Sequence, residues 1–275
     1  MTDRKGRLEK LIEDRELTDE QVIAIIDNIT APPPTPEIQE HHWSDKHIRF
    51  GLCGDFHIGS RFEDLDSLKD LFRRFKRRAV EAVYITGDLS CGYNMRPGDT
   101  LEVIAHGADA QINRIIDVVP YIGRNLYFIL GNHDYSHFKR QGIDIGIHLS
   151  SLRDDFCYLG SFVESTVEFA ENTKLMLSHP GGSASCYAVS YRSQKMIESF
   201  SGDAKPQLLG IGHFHKAEFL NYRNVNCWQT GCMENQSDWA RGKGISFIKG
   251  GWIIDVWLKE NGFPDKVAME FYPYN

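Results

Sequence analysis

The chain has no CxxC pair, no apolar run approaching the length of a membrane span and no surplus of positive charge. Its six cysteines lie scattered at positions 53, 91, 157, 186, 227 and 232. That spacing argues against a thiolate metal site or a redox motif, and Cys227 and Cys232 are given no such role. The opening Met-Thr-Asp-Arg-Lys-Gly-Arg lacks a signal-peptide core, which argues against an exported disulfide framework. Cys53 and Cys157 sit inside apolar runs and read as small buried hydrophobes. With no spanning segment either, the expected location is cytoplasmic, away from any membrane. A net charge of −7 works against broad, non-specific binding to nucleic acid, which needs clustered Lys and Arg. The one basic cluster (Arg73, Arg74, Lys76, Arg77 and Arg78) shares a stretch with Leu68, Leu71, Phe72, Phe75 and Ala79 at helical spacing. It reads as the solvated face of an amphipathic helix.

What the chain does have is a series of short polar signatures, each directly after an apolar run. Gly54-Asp55-Phe56-His57 follows Arg49–Cys53, and Gly87-Asp88 follows Ala82–Thr86. Gly131-Asn132-His133-Asp134 follows Leu126–Leu130, His179 follows Lys174–Ser178, and Gly212-His213-Phe214-His215 closes Leu208–Gly212. The runs read as buried strands, and in layered α/β folds ligands bind outside the carboxyl ends of strands. The tips are therefore expected to converge on one edge of a sheet. Each has a plainer reading alone: Gly-Asp is a common turn and cap, and Asn132 or Asp134 could simply form turns. Together they present carboxylate, amide and imidazole donors, a set that suits Mn, Fe, Zn or Ni. Asp55, His57, Asp88, Asn132, His179, His213 and His215 are too many for one ion that leaves room for substrate. They suit two ions sharing a carboxylate, and two metals roughly 3.5–4 Å apart clamp an in-line displacement at phosphorus. A hydroxide held between them would be nucleophilic at neutral pH.

In this order the signatures resemble the calcineurin-like metallophosphoesterases, over about Ile48 to Tyr222. The resemblance implies a fold of the α/β class (α+β by some schemes), a two-sheet β-sandwich flanked by helices. It also implies two divalent ions, with Mn the leading choice and Fe, Zn or Ni the others. Carried over by position, Asp55, His57 and His215 would hold the first ion. Asn132, His179 and His213 would hold the second, Asp88 would bridge, and His133 would act on the leaving oxygen without binding metal. The protein Ser/Thr phosphatase branch fits poorly, because Cys91 stands where that branch has the acid that orients its catalytic His. The repair-nuclease and uncharacterised microbial branches are more similar. The sequence therefore points to a phosphodiesterase or nuclease-type hydrolase acting on nucleotides or single-stranded nucleic acid. A phosphomonoesterase on a small metabolite and a non-catalytic assembly subunit are the alternatives.

Three segments are expected: a helical arm over residues 1–30, a Pro-rich linker over 31–47 and the catalytic domain over 48–275. The arm shows a capping box at Thr18-Asp-Glu-Gln21, and so short a unit must dock on its own domain, a second copy or a partner protein. From Ile48 the rhythm is strand–helix–strand, with helices expected at Asp64–Val80, Leu101–Val118, near Gly142–Leu152 and around Tyr187–Phe200. Strands at Ala217–Tyr222, Val225–Gln229, Gly244–Lys249, Trp252–Leu258 and Val267–Tyr272 are expected to build the second sheet. Within His179–Lys195, Gly181 and Gly182 allow close backbone approach to a phosphate. Tyr187, Tyr191, Arg192 and Lys195 share a helix face that could stack a base and neutralise charge.

Overall fold

The computed structural model describes Thr18 and residues 39–40, 46–160, 163–182 and 188–275. All but Thr18 belong to a unit spanning Pro36–Asn275. The expected arm, apart from Thr18, most of the expected linker, and Tyr187 lie outside the described residues.

Strand β1 (Gln39–Glu40) falls within the stretch expected as linker, and β2 (His47–Cys53) opens the first parallel unit. Ile48, Phe50 and Leu52 of β2 face one way and Cys53 the other, the period-two alternation of a strand buried on both faces. Helix α1 (Leu65–Arg77) follows, with the Asp64 side chain accepting from the Ser67 amide and Leu68, Leu71, Phe72 and Phe75 buried. Next come β3 (Ala82–Ile85), α2 (Ala108–Val118), β4 (Leu126–Phe128), α3 (Asn132–Gln141), α4 (Ile145–Leu152) and β5 (Phe156–Tyr158). The second half holds β6 (Glu164–Ala170), β7 (Thr173–Ser178), α5 (Tyr191–Ser199), β8 (Leu208–Ile211), β9 (Ala217–Tyr222) and β10 (Val225–Thr230). The short α6 (Asp238–Gly242) and the strands β11 (Lys249–Leu258) and β12 (Pro264–Tyr274) complete it.

Two six-stranded sheets result, ordered β12-β11-β2-β3-β4-β5 and β1-β6-β7-β8-β10-β9. The layer between them is built by Phe50, Leu52, Tyr84, Phe169, Leu177 and Trp228 among others, while Phe72, Phe75, Ile112 and Leu149 fill the space under the first sheet's helices. Ile197 of α5 covers the outer face of the second sheet. This is the expected helix-flanked sandwich.

Five details differ from expectation. The stretch from Leu101 is a 3₁₀ turn (Asp99–Leu101) and loop, and α2 begins only at Ala108, after Gly107 at φ 87°. Asn132–Gln141, which has little apolar periodicity, forms a helix because Asp134 caps its first turn by accepting from the Gly131 amide. Residues 244–248 carry no strand. The hairpin β11–β12 joins the first sheet, with β11 antiparallel to β2. That edge suits it because Asp255 lies directly opposite Arg49 and accepts from its Nε at 2.8 Å, while His47 Nε2 lies 2.6 Å from the same oxygen. Cys157, expected to be buried, is half-buried beside Asp155. The basic cluster on α1 behaves as a surface face: Arg73 and Arg74 pair with Asp70, and Arg78 with Glu270.

The inter-sheet layer should dominate stability. Phe50 is fully buried against the rings of Tyr84 and Phe169 at 5.4 and 5.6 Å. Phe50→Ala should cost about 3–5 kcal/mol in urea unfolding, and Leu101→Ala, at 83% exposure, under about 0.5 kcal/mol. Equal effects would mean the sandwich is not the cooperative core.

Candidate metal centre

The signature tips converge, but from both sheets. Asp55 and His57 follow β2, Asp88 follows β3 and Asn132 follows β4 in the first sheet. His179 follows β7 and His213 and His215 follow β8 in the second. The expectation of a single sheet edge is corrected accordingly. Since β2, β3 and β4 run parallel, as do β7 and β8, their carboxyl ends lie together at one end of the sandwich.

Tight turns bring the side chains inward. Asp55, His57, Asp88, His213 and His215 all adopt φ between 48° and 77°. Asp and His tolerate this left-handed region better than most residues, and strain of this kind clusters at functional sites. The glycines have a steric reason. A Cβ on Gly131 would stand 2.1 Å from Asp88 Oδ1, and one on Gly87, at φ 94°, would stand 2.6 Å from the Gly131 amide nitrogen.

The donors fall into overlapping groups, each with ligand atoms within 4.8 Å of one another: Asp55, His57 and His215; Asp88, His179 and His213; and His57, Asp88 and His133. Asp88 joins the groups, its Oδ2 lying 3.2 Å from His179 Nε2 and 3.8 Å from His57 Nε2. Asn132 Oδ1 lies 3.1 Å from His179 Nε2. His57 Nε2 and His215 Nε2 face each other at 3.0 Å, with Asp55 Oδ1 3.4 Å from the latter. The arrangement fits divalent cations. Two carboxylates that are at most 1% exposed have histidines as their only ion-pair partners among the described residues. Buried carboxylates need such compensation, and facing imidazole nitrogens are satisfied by a cation between them.

The outer nitrogens are held as metal-ligating imidazoles require. His179 Nδ1–H donates to the Thr86 carbonyl at 2.7 Å, leaving Nε2 for the site. His213 Nε2–H donates to the Gly182 carbonyl at 2.8 Å, and its backbone N–H donates to Asp55. Burial, reinforced by His133, pushes His57 well below the ordinary imidazole pKa and so favours its neutral form. Burial would also lower His179, yet the charge of Asp88 and its hydrogen bond raise it to about 9. Burial works equally against ionised Asp88, but His179 and His133 hold its carboxyl well below the usual range.

His133 is oriented by backbone. Its Nδ1–H donates to the Cys91 carbonyl at 2.7 Å, and its amide donates to Asp88 Oδ1 at 2.8 Å. The acid missing at position 91 is thus replaced by a main-chain oxygen, which any residue there supplies. Asp134, read from the sequence only as a turn former, proves to be a buried clamp. It accepts from the Leu89, Ser90 and Gly131 amides and from Ser90 Oγ, tying the β3 tip to the β4 tip. Burial, with Asp88 nearby, raises its pKa to about 6.

A cavity of about 320 Å³ opens over these groups. From the stretch expected to grip substrate it takes Gly182 and, among the described residues, none of Gly181, Tyr191, Arg192 and Lys195. Gly181 has open space around it, Tyr191 is 48% exposed and Lys195 pairs with Glu198 on the surface. The Arg192 guanidinium packs beside Gly182. The base-stacking face expected on α5 is therefore not where the cavity opens. Its outer wall is made by Arg96, Trp239, Phe247 and Glu234, which lie in or beside irregular loops and carry no periodic signal.

Comparison with known proteins follows the same lines. A search of curated proteins finds no match. Among solved structures, the chain is similar to an archaeal phosphodiesterase (14% identity, TM-score 0.46, covering 82% of this chain and 100% of that one). It is also similar to a dimetal phosphatase from Danio rerio (11%, 0.45, 82% and 95%) and to zinc-bound Vps29 from Entamoeba histolytica (14%, 0.39, 83% and 100%). Likenesses of this degree bear on neither substrate nor partner. The family model for calcineurin-like phosphoesterases, by contrast, matches residues 48–274, nearly all of the sandwich. The chain belongs to the calcineurin-like phosphoesterase family, and its His and Asp clusters could bind the divalent metals that the family uses.

Proposed function

We propose that the chain is a dinuclear metal-dependent hydrolase of phosphodiesters on nucleotide or nucleic acid substrates. Asp55, His57 and His215 would hold one ion, Asn132, His179 and His213 the other, and Asp88 both. The position of Asp88 between two imidazole groups carries this reading. Bound there, the ions supply Lewis acidity at a phosphoryl oxygen and an acidified water. Mn is the first choice for an imidazole–carboxylate–amide set, with Fe, Zn or Ni as alternatives.

The remaining steps fall to side chains. With Nδ1–H fixed on Cys91, His133 keeps Nε2 free, and that nitrogen would pass its proton to the departing oxygen. The left-handed turns hold Asp55, His57, Asp88, His213 and His215 before substrate arrives, so little reorganisation accompanies the reaction. The cavity wall supports a diester over a monoester. Beyond the imidazoles its one cationic side chain among the described residues is Arg96, already paired with Glu102, and Asp99 and Glu234 stand nearby. Such a wall offers nothing to the second negative charge of a monoester, whereas a diester carries one charge, which the ions can meet.

With added Mn²⁺, bis-p-nitrophenyl phosphate should turn over faster than p-nitrophenyl phosphate. Faster monoester hydrolysis would reverse the assignment, and no hydrolysis of either would favour a non-catalytic assembly role. Asp88→Asn should release metal from both positions and abolish activity, as read by metal analysis of the dialysed protein. His133→Ala should keep its metal and lose roughly 10²–10⁴-fold in turnover. A metal-free His133→Ala protein would instead make His133 a ligand, as its proximity to His57 and Asp88 also permits.

A further inference from the structure

The cavity does not end at the metal ligands. It continues between two segments, residues 91–106 and 231–248, whose side chains hold no metal and move no proton in the reading above. Phe247 starts this outer section, packing edge to face on His215 with ring centroids 4.2 Å apart. Farther out, the Arg96 guanidinium lies 4.9 Å from the centre of the Trp239 ring and is held there by its ion pair with Glu102. Asp99 fixes the same loop by accepting the Met95 and Arg96 amides. Trp239 lies in the first turn of α6, whose N-cap Ser237 accepts the Ala240 amide through its Oγ. Both segments are thus pinned, so the slot is built before a ligand enters. Trp239 nevertheless remains 45% exposed. An indole positioned by a cation at one face, left open elsewhere and turned to a cavity, presents area that a second planar ring can cover.

Charge narrows the ligand. The slot sets Asp99, Glu102 and Glu234 against the single cation Arg96, so it carries no surplus positive charge for a second phosphate. Glu234 accepts from Ser60 Oγ at 2.9 Å through one oxygen. With Glu102 it offers acceptors suited to ring N–H groups or sugar hydroxyls. A cavity of about 320 Å³ stands at the small end of the range for ligand sites, roughly 300–1,000 Å³. That is space for one nucleoside beside the reacting phosphorus.

We propose that Trp239, Arg96 and Phe247 form a slot for a single nucleobase, so that the substrate is a phosphodiester bearing one nucleoside rather than a polynucleotide. This rests on the diesterase reading above and narrows it. Water supplies the oxygen that bonds to phosphorus, the ester bond to the leaving alcohol breaks, and a nucleoside monophosphate remains.

The test compares two esters with the same leaving group: thymidine 5′-(p-nitrophenyl phosphate) and methyl p-nitrophenyl phosphate, each with Mn²⁺. The native protein should prefer the nucleoside ester in kcat/KM and should cleave oligothymidylate more slowly. Trp239→Ala should reduce the preference roughly 5- to 100-fold, mainly through KM, and Trp239→Phe should restore part of it. A native ratio near one with both esters hydrolysed overturns the slot and leaves the diesterase reading standing. Loss of both activities by the same factor in Trp239→Ala, or faster cleavage of the oligonucleotide, also overturns it. If neither ester is hydrolysed the diesterase reading fails, and the slot is then judged by binding. Thymidine 5′-monophosphate should quench tryptophan fluorescence less in Trp239→Phe than in the native protein, and equal quenching refutes the proposal.

Discussion

Two buried carboxylates without a Lys or Arg partner among the described residues are the constraint around which this end of the molecule is built. Asp55 and Asp88 are removed from water and flanked by imidazoles, an arrangement whose burial cost a bound divalent cation would offset. The surrounding details follow from that need. Glycines at 87 and 131 let the β3 and β4 tips approach until backbone nearly touches carboxylate. The left-handed turns point side chains that are two residues apart into one space. Backbone carbonyls of Thr86, Gly182 and Cys91 take up the outer ring N–H groups of His179, His213 and His133, which fixes the nitrogen each presents.

The sandwich exists, in this sense, to bring two sheets to a common end. The apolar layer between the sheets sets their relative position, and the carboxyl ends of β2, β3 and β4 on one side meet those of β7 and β8 on the other. Neither sheet alone carries a complete donor set. Asp134 then links neighbouring tips within the first sheet, so a shift of either would disturb both Asp88 and Asn132.

The residues that meet at this end could be picked out of the chain as candidate ligands because each sits in a short local signature directly after an apolar run. The helix-flanked sandwich could be read because strand and helix periodicities alternate. Other features depend on distant pairings. The place of β11 beside β2 turns on Asp255 meeting Arg49, residues about two hundred positions apart, which no local pattern reveals. The helix at Asn132–Gln141 hides because its composition is polar and its start depends on one capping carboxylate. The sequence also presented an aromatic and basic face on α5 near the site, whereas the cavity opens instead toward Arg96, Trp239 and Phe247. Arg96 and Phe247 lie in irregular stretches and Trp239 in the short α6, with Arg96 more than a hundred positions away in the chain, so their meeting is a property of the tertiary structure alone.

The most direct test of the account is anomalous diffraction from crystals equilibrated with Mn²⁺. Two peaks per chain should appear on either side of Asp88, one contacting Asp55, His57 and His215 and the other Asn132, His179 and His213. A single peak, or manganese bound away from Asp88, would contradict the account.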